Sequence, residues 1–568
     1  MMIGIYCQAL NWSQLQNSDT IQSRMKKWII SPKKSNDIIE QLLINRKIKK
    51  EEWSSFLNPD FSNLFDPFKI GGMKEAVLRI EKAYLKKEVI GIFGDYDADG
   101  IPGSALLYQY LTKIGFKTHV YIPRREQGYG LNKEGIEVLK KEGVSLLITI
   151  DLGVRNSDEI EYAKKIGINV IILDHHEMAK EKPNCIVVDL KQAGEKYPFT
   201  ELAATGVVFK FIQAINLKLK KVPTNHLKWM LDLVAISTIC DMVPLVSENR
   251  IFAKFGLIVL QKTRNLGLKE LYKKAEIVVE NIDTYTVGFQ IGPRINAPGR
   301  MDHTNESFYL LISADQKEAS VLAEKLDTIN RQRQKELQRV LLEAREKVVR
   351  KKLDQKKLIL VEGENWPQGI VGLVAGKLME EYSRPVIVCE RKEGKLKGSA
   401  RSISAYNMVE ALEQAKDYLL KYGGHKKAAG LSLDLKQWSN LYNKLLEVAD
   451  VKLSDKDLMP KIKIDLKLKK EDLKLALFDK IKKLEPFGLG NNRPIFQLEQ
   501  AQITDVKTVG KKKEHLKFKA DDISAIGFGM GDLIKTLKNG KADIVFTLDE
   551  DNWSTRKLQL KVLDLKVA

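Results

Sequence analysis

Three short apolar runs rich in β-branched residues, Glu88–Phe93, Val144–Ile150 and Asn169–Leu173, each lead straight into an acidic cluster. The clusters are Asp95-Tyr-Asp-Ala-Asp-Gly100, Asp151-Leu-Gly153 and Asp174-His-His-Glu177. Runs of this length and composition read as buried strands. The stretches between them carry helical spacing, so the pattern is βαβ with a parallel sheet. Such sheets take their ligands at the carboxyl ends of the strands. All three clusters fall on that edge, which makes side chains far apart in sequence neighbours in space.

Their convergence has a cost. Two carboxylates about 4 Å apart repel by about 4 kcal/mol at an effective dielectric near 20. Several sharing one crevice must either take up protons or be neutralised by cations. Oxygen ligands with one or two imidazoles suit Mn²⁺ or Mg²⁺ better than a thiophilic metal. The implied arrangement is a two-metal site that clamps the attacking and leaving oxygens of a phosphoester.

Each cluster also has a plainer reading. Asp95-x-Asp97-x-Asp99-Gly100 could open a calcium loop, but the twelfth position of that loop is Leu106 and a strand, not a helix, precedes it. A lone Asp-x-Gly turn like Asp151–Gly153 is common, yet acidic clusters recurring at three strand ends are not. Adjacent histidines beside an Asp at a strand end seldom arise for packing. Successive side chains diverge, so His175 is assigned to the metal and His176 to the scissile phosphate; the reverse assignment stays open. Asp241 follows the apolar helical stretch Leu231–Cys240 and reads equally well as a helix C-terminal turn.

At 568 residues the chain is too long for one core and implies three or four domains. A net charge of +20 favours a polyanionic partner, although Lys scattered over many helices explains it about as well. Cys7, Cys185, Cys240 and Cys389 lie far apart with no Cys-x-x-Cys pair. They form neither a disulfide framework nor a zinc knuckle, and fit a cytoplasmic location. No apolar run reaches the ~18 residues of a membrane span, and no secretory pattern opens the chain. Residues 1–24 hold one acid, Asp19, and one base, Arg24, and are expected to be disordered or artefactual.

The sequence divides into a lead-in (25–75), an α/β core (76–305), a Gly- and Pro-free stretch read as one long connecting helix (306–357) and a second α/β unit (358–451). Residues 455–568 alternate in short segments, as in a small oligonucleotide-binding (OB)-like β-barrel. They carry 25 Lys+Arg against 18 Asp+Glu from position 451 onward, which suits binding of a strand's backbone. Lys511–Lys513 reads as a solvated loop. The absence of Gly-x-x-x-x-Gly-Lys-Ser/Thr and of Gly-x-Ser-x-Gly argues against an ATP-driven motor and a serine hydrolase.

Taken together, Asp95–Gly100, Asp174-His-His, Ile239-Cys-Asp-Met-Val-Pro-Leu245 and Gly292-Pro-Arg-Ile-Asn-Ala-Pro-Gly-Arg300 resemble the DHH phosphoesterase superfamily. Within it they resemble the RecJ family of single-strand-specific 5′→3′ DNA exonucleases. Gly423-Gly-His-Lys-Lys-Ala-Ala-Gly430 is similar to the glycine-rich motif of the DHH-associated domain, and Glu485–Phe496 to the start of the family's OB domain. The likeness runs from about Trp28 to the C-terminus.

The resemblance implies that Asp97, Asp99, Asp151, His175 and Asp241 hold two Mn²⁺ or Mg²⁺ ions, with Asp95 close by and His176 also catalytic. Some relatives carry a His where this chain has Phe93, a departure for which Asp95 could compensate. Arg294, Asn296 and Arg300 would bind phosphate from a Gly/Pro-rich loop that cannot be helical. Arg401, Ser402, Gly424 and His425 would form a second phosphate pocket. The implied activity releases 5′-mononucleotides from single-stranded DNA in repair and recombination. A monomer is expected, with a single-strand-binding protein and a helicase as partners and no membrane. The alternatives are a phosphodiesterase of short RNA or cyclic dinucleotides, and a non-catalytic DNA-binding scaffold.

Overall fold

The computed structural model describes residues 26–179, 181–301, 305–537, 540–551 and 556–567. The stretch 1–24, expected to be disordered or artefactual, lies outside the described residues. The chain forms two compact units, one built from 59–454 with 488–490, the other from the remaining N- and C-terminal segments.

In the first unit five parallel strands lie in the order Thr118–Tyr121, Val89–Gly94, Val144–Ile150, Asn169–Asp174, Ile186–Asp189. Successive residues alternate between two cores: Ile90, Ile92, Leu146 and Ile148 face one, and Phe93, Leu147, Val170 and Ile172 the other. Burial on both faces explains the near-continuous apolar runs. The chain leaves the Val89–Gly94 strand toward one edge and returns to build the other. The switch point therefore lies between that strand and Val144–Ile150, the place where open α/β sheets bind ligands.

The stretch expected to be one connector is two helices. Glu306–Ile312 ends at Ser313, and Asp315 restarts the chain by accepting from Glu318 N–H, capping the 35-residue helix Gln316–Arg350. Asp315 is a good N-cap, a signal stronger than the lack of Gly and Pro. A second sheet follows in the same unit. Its order is Lys421–His425, Ala428–Asp434, Lys395–Arg401, Val386–Lys392, Ile359–Glu364, with only the last pair parallel. Helix Gln368–Tyr382 packs beside it.

In the second unit, Phe496–Val509, His515–Ala520, Ile523–Gly527, Lys557–Val567 and Gly540–Asp551 close into a five-stranded barrel, the first pairing again with the last. Lys461–Ile464 stands outside that ring and pairs in parallel with Lys27–Ile30. Trp28 Nε1 donates to Asp564 at 2.7 Å. The start of the lead-in thus belongs with the C-terminal barrel, while residues from Pro59 on belong with the first unit. Among the described residues no helix is long and apolar enough to cross a membrane.

One buried cluster holds the helix that supports the acidic edge. Lys210, on helix Ala204–Leu219, donates to Glu248 at 2.9 Å and to the Phe65 carbonyl at 2.5 Å. Glu248 also accepts from Tyr197 OH at 2.6 Å and Phe65 N–H at 2.9 Å. Lys210→Met would strand the Glu248 charge, and removing one partner of a buried pair costs about 3–5 kcal/mol. Urea denaturation should show a loss of that size; a loss below about 1 kcal/mol would contradict the role given to the pair.

Candidate active site

The strand ends deliver the acids as a row. Asp95 N–H donates to Ile150 O at 3.2 Å and Asp151 N–H to Leu173 O at 3.0 Å, so the first residues past two strands remain tied in register to the strand beside each. Asp151 takes φ +64°, a conformation uncommon for a residue with a Cβ. Two residues on, Gly153 has φ +119° with Thr149 Oγ1 2.8 Å from where a Cβ would stand, so only glycine fits.

Asp97 Oδ1 accepts from Asp99 N–H at 2.8 Å and Gly100 N–H at 3.0 Å, closing the acidic turn on itself. Asn296 Oδ1 holds the same turn from outside through Ala98 N–H at 2.8 Å. Asp99 is fully sequestered and accepts from Ala204 N–H (2.7 Å), Thr205 N–H (2.8 Å) and Ser237 Oγ (2.6 Å). The first two donors are the free N–H groups at the start of helix Ala204–Leu219, where the helix dipole also favours negative charge.

His175 Nε2 lies among three of the carboxylates, 3.3 Å from Asp151, 3.7 Å from Asp99 and 3.8 Å from Asp241. His176 turns the other way: its Nδ1 is 2.8 Å from Asp174 and 3.3 Å from Tyr129 OH, which itself donates to Asp151 O. Ligand atoms fall within 4.8 Å of one another in three sets: Asp95, Asp97, Asp151; Asp99, His175, Asp241; and Asp151, His175, His176. Asp95 Oδ1 and Asp151 Oδ1 are buried with no hydrogen-bond partner. Orphaned buried carboxylate oxygens beside an imidazole are the donor set of a divalent cation site, so the residues fit Mn²⁺ or Mg²⁺. Phe93 contributes nothing to it, being fully buried against Tyr121 in the core below.

Burial pushes Asp95 and Asp151 well above the ordinary carboxylate range, and the neighbouring aspartates push further in the same direction. Asp241 rises to about 8, through burial and then the charges of Asp99 and Asp97. Burial is the largest influence on Asp174 and on His176 and opposes ionisation of both, but their mutual hydrogen bond and the attraction between their charges together outweigh it. Asp174 is held low and His176 is pushed up to about 9.

The basic residues fall in different places from those expected. Gly292–Arg300 is a helix, not a loop. Pro293 sits in its first turn, where no N–H is needed, and Pro298 near its end, while Ile295 and Ala297 are buried. Arg294 is buried and paired with Asp327 of the long helix at 2.8–2.9 Å, so its guanidinium braces the scaffold. Asn296 holds the acidic turn. Arg300 does reach a site: burial lowers it to about 10, helped by Arg125, Arg333 and Arg401, with Asp97 pulling the other way. Ser402 is buried and spends its hydroxyl on Tyr406 O. Ser399, two residues back on the same strand face as Arg401, is the serine beside that guanidinium. His425 lies in the same cross-strand row as Arg401, two strands away and about 10 Å off, exposed on the edge strand with Gly424.

Asp174 was placed in its cluster but given no role, and Tyr129, Ser237 and Arg125 were missed. Asp174 and Arg125 had a signal, since both follow strand ends on the edge that carries the acids. Thr118–Tyr121 is too short and half-buried to stand out as a strand. Tyr129 and Ser237 had none.

A parallel sheet with an aspartate–histidine centre at its switch point, joined to a second α/β domain, defines a DHH-type phosphoesterase. Residues 89–238 match the DHH family N-terminal domain, 354–455 the DHHA1 domain and 464–564 the RecJ OB domain. The chain is 37% identical over 571 residues to the single-stranded-DNA-specific exonuclease RecJ of Bacillus subtilis, spanning 98% of this chain and 71% of that protein. It is 32% identical over 540 residues to RecJ of Haemophilus influenzae, spanning 89% and 92%. A crystal structure of RecJ from Thermus thermophilus in complex with Mn²⁺ superposes with a TM-score of 0.82 at 26% identity, over 96% of this chain and 80% of that one. Another, with Mg²⁺, gives 0.75 at 25% identity, over 96% and 79%. The chain belongs to the RecJ family.

The raised groups set a pH response. The fold favours protonated Asp241 and His176, whose unfolded values are about 3.9 and 6.5. Their stabilisation is complete below those values and lost as pH rises through about 8 and about 9. With divalent ions chelated, thermal scans should show Tm falling between pH 7 and 9. Saturating Mn²⁺ should flatten the decline by replacing the protons. A chelated protein whose Tm rises over this interval would contradict the assignment.

Proposed function

We propose that this chain is a metal-dependent exonuclease that removes 5′-mononucleotides from single-stranded DNA. One observation carries the reading: a crevice of orphaned carboxylates and a cluster of desolvated arginines lie side by side in one unit. The first suits cations and the second a phosphate. Asp95, Asp97, Asp99, Asp151, His175 and Asp241 would hold the ions, His175 through Nε2. When bound, divalent cations supply Lewis acidity, acidify a water and neutralise charge on the phosphoester.

The protein's own groups do the rest. Asp99 cannot swing away, because three donors fix it. Asp174 keeps His176 charged and aimed, so the ring can offset charge developing on a non-bridging oxygen. Arg125, Arg300, Arg401 and Ser399, with the start of helix Gln368–Tyr382, form a pocket for the terminal phosphate. Arg300 Nη1 donates to Gly369 O at 3.3 Å, and a Cβ at Gly369 would run into the Arg300 carbonyl, so that helix start abuts the pocket. Arg125 lies over the Tyr96 ring at 5.5 Å. Like charges gathered out of water call for an anion, and guanidinium forks match a phosphate. Gly423, Gly430 and Ser399 share one row, leaving a flat backbone floor beside Arg401. An end phosphate held one step from the carboxylates makes the cut exonucleolytic.

The 5′→3′ direction and the single-strand preference rest on membership of the RecJ family, as does supply of substrate by a helicase and a single-strand-binding protein. The OB barrel favours long strands over dinucleotides as substrate.

A 5′-labelled oligonucleotide with Mn²⁺ tests the reading. Single strands should be shortened from the 5′ end and blunt duplex left intact; equal rates on both would refute it, as would faster turnover of dinucleotides. Asp151→Asn should abolish hydrolysis, and Asp174→Asn should lower it about 10–100-fold. Arg401→Ala should raise KM at least about tenfold for 5′-phosphorylated strands. An equal effect on strands lacking that phosphate would remove Arg401 from the pocket.

A further inference from the structure

The helical run from Thr284 to Arg300 carries two aromatic rings that the chemistry above does not use. Tyr285 and Phe289 stack with centroids 4.8 Å apart and planes inclined by 25°. They are 47% and 65% exposed. Phe289 lies in a π-helical stretch, Val287–Ile291, between Thr284–Thr286 and Gly292–Arg300. Such wide turns are rare and recur at functional sites.

Two packing facts place the rings. A Cβ on Gly288 would stand 3.9 Å from Ile239 Cγ2, and one on Gly292 would run into Cys240 Sγ. The run therefore lies against the last turn of Leu231–Cys240, the helix that Asp241 ends. The π-helical turn separates Phe289 from Gly292–Arg300, so its position is read from its neighbour Gly288, which faces Ile239 two residues before Asp241. Phe289 thus adjoins the helix end that carries Asp241, on the same run whose Asn296 holds the acidic turn. It stands about 16 Å along the axis from Arg300, on the Asp241 side.

We propose that the Tyr285–Phe289 stack is a platform for a base of the departing strand, on the 3′ side of the scissile phosphate. The inference rests on the exonuclease reading. A strand with its terminal phosphate at Arg300 and its scissile phosphate at the carboxylates continues past Asp241 along the run toward Phe289. Stacking on an aromatic ring tolerates any base, as an exonuclease requires. It also discriminates against duplex, whose bases are already covered by their neighbours.

The test walks a single abasic nucleotide through the first eight positions of a 5′-phosphorylated oligonucleotide. Binding is read by fluorescence anisotropy with metal chelated, and cleavage by initial rate with Mn²⁺. One or two adjacent positions should bind about tenfold more weakly. That dip should vanish in Phe289→Ala and in Phe289→Leu, which keeps an apolar side chain, and persist in Phe289→Trp. A flat wild-type profile, or a dip that survives in Phe289→Leu, overturns the proposal. So does a change of oligomeric state in Phe289→Ala, which would make the rings a protein interface. Cleavage with flat binding sinks the platform alone; a Phe289-dependent dip without cleavage sinks the exonuclease reading and keeps the platform.

Discussion

Mutual repulsion among buried carboxylates is the constraint around which the first unit is organised. Left to themselves, Asp95, Asp151 and Asp241 would separate or take up protons. The fold denies them the first course. Asp95 and Asp151 are tied through their own backbone to adjacent strand ends, one of them at positive φ. Asp99 is gripped by a helix N-terminus, and that helix is anchored in turn by the buried Lys210–Glu248 pair. The remaining course is protonation, which a divalent cation can reverse. A rigid frame thus stores unfavourable electrostatics in a form that protons or metal cations relieve.

The run from Thr284 to Arg300 distributes this rigidity. Asn296 holds the acidic turn, Arg300 enters the arginine cluster, and Arg294 fastens the run to Asp327 on the 35-residue helix leading to the second sheet. Gly369 lets the second domain's helix touch the Arg300 backbone directly. The proposed metal and phosphate sites therefore share one continuous support, although their residues come from segments as far apart in sequence as Asp97 and Arg401.

That run is also where local reasoning failed most instructively. Two prolines and two glycines between Gly292 and Arg300 argue for a loop, yet the segment is helical. Pro293 falls in the first turn of Gly292–Arg300, Pro298 costs the helix one hydrogen bond near its end, and burial of Ile295 and Ala297 offsets that cost and the poor propensity. The role of Arg294 shifted with it, because helical spacing turns residues 294 and 300 to different sides. Ser402 and Ser399 exchanged roles for a similar reason: strand alternation, not proximity in sequence, decides which serine shares a face with Arg401.

The sequence by itself determined the parallel sheet, the edge on which the acids gather and the kind of metal they suit. Those follow from residue type and short periodicity, which act over one or two turns of chain. Only the tertiary structure decided that Lys27–Ile30 joins Lys461–Ile464, that Asp174 claims His176, and that Arg125 rather than Arg294 stands by Arg300. Such choices depend on which surfaces meet after collapse, and no local pattern encodes the partner across hundreds of residues.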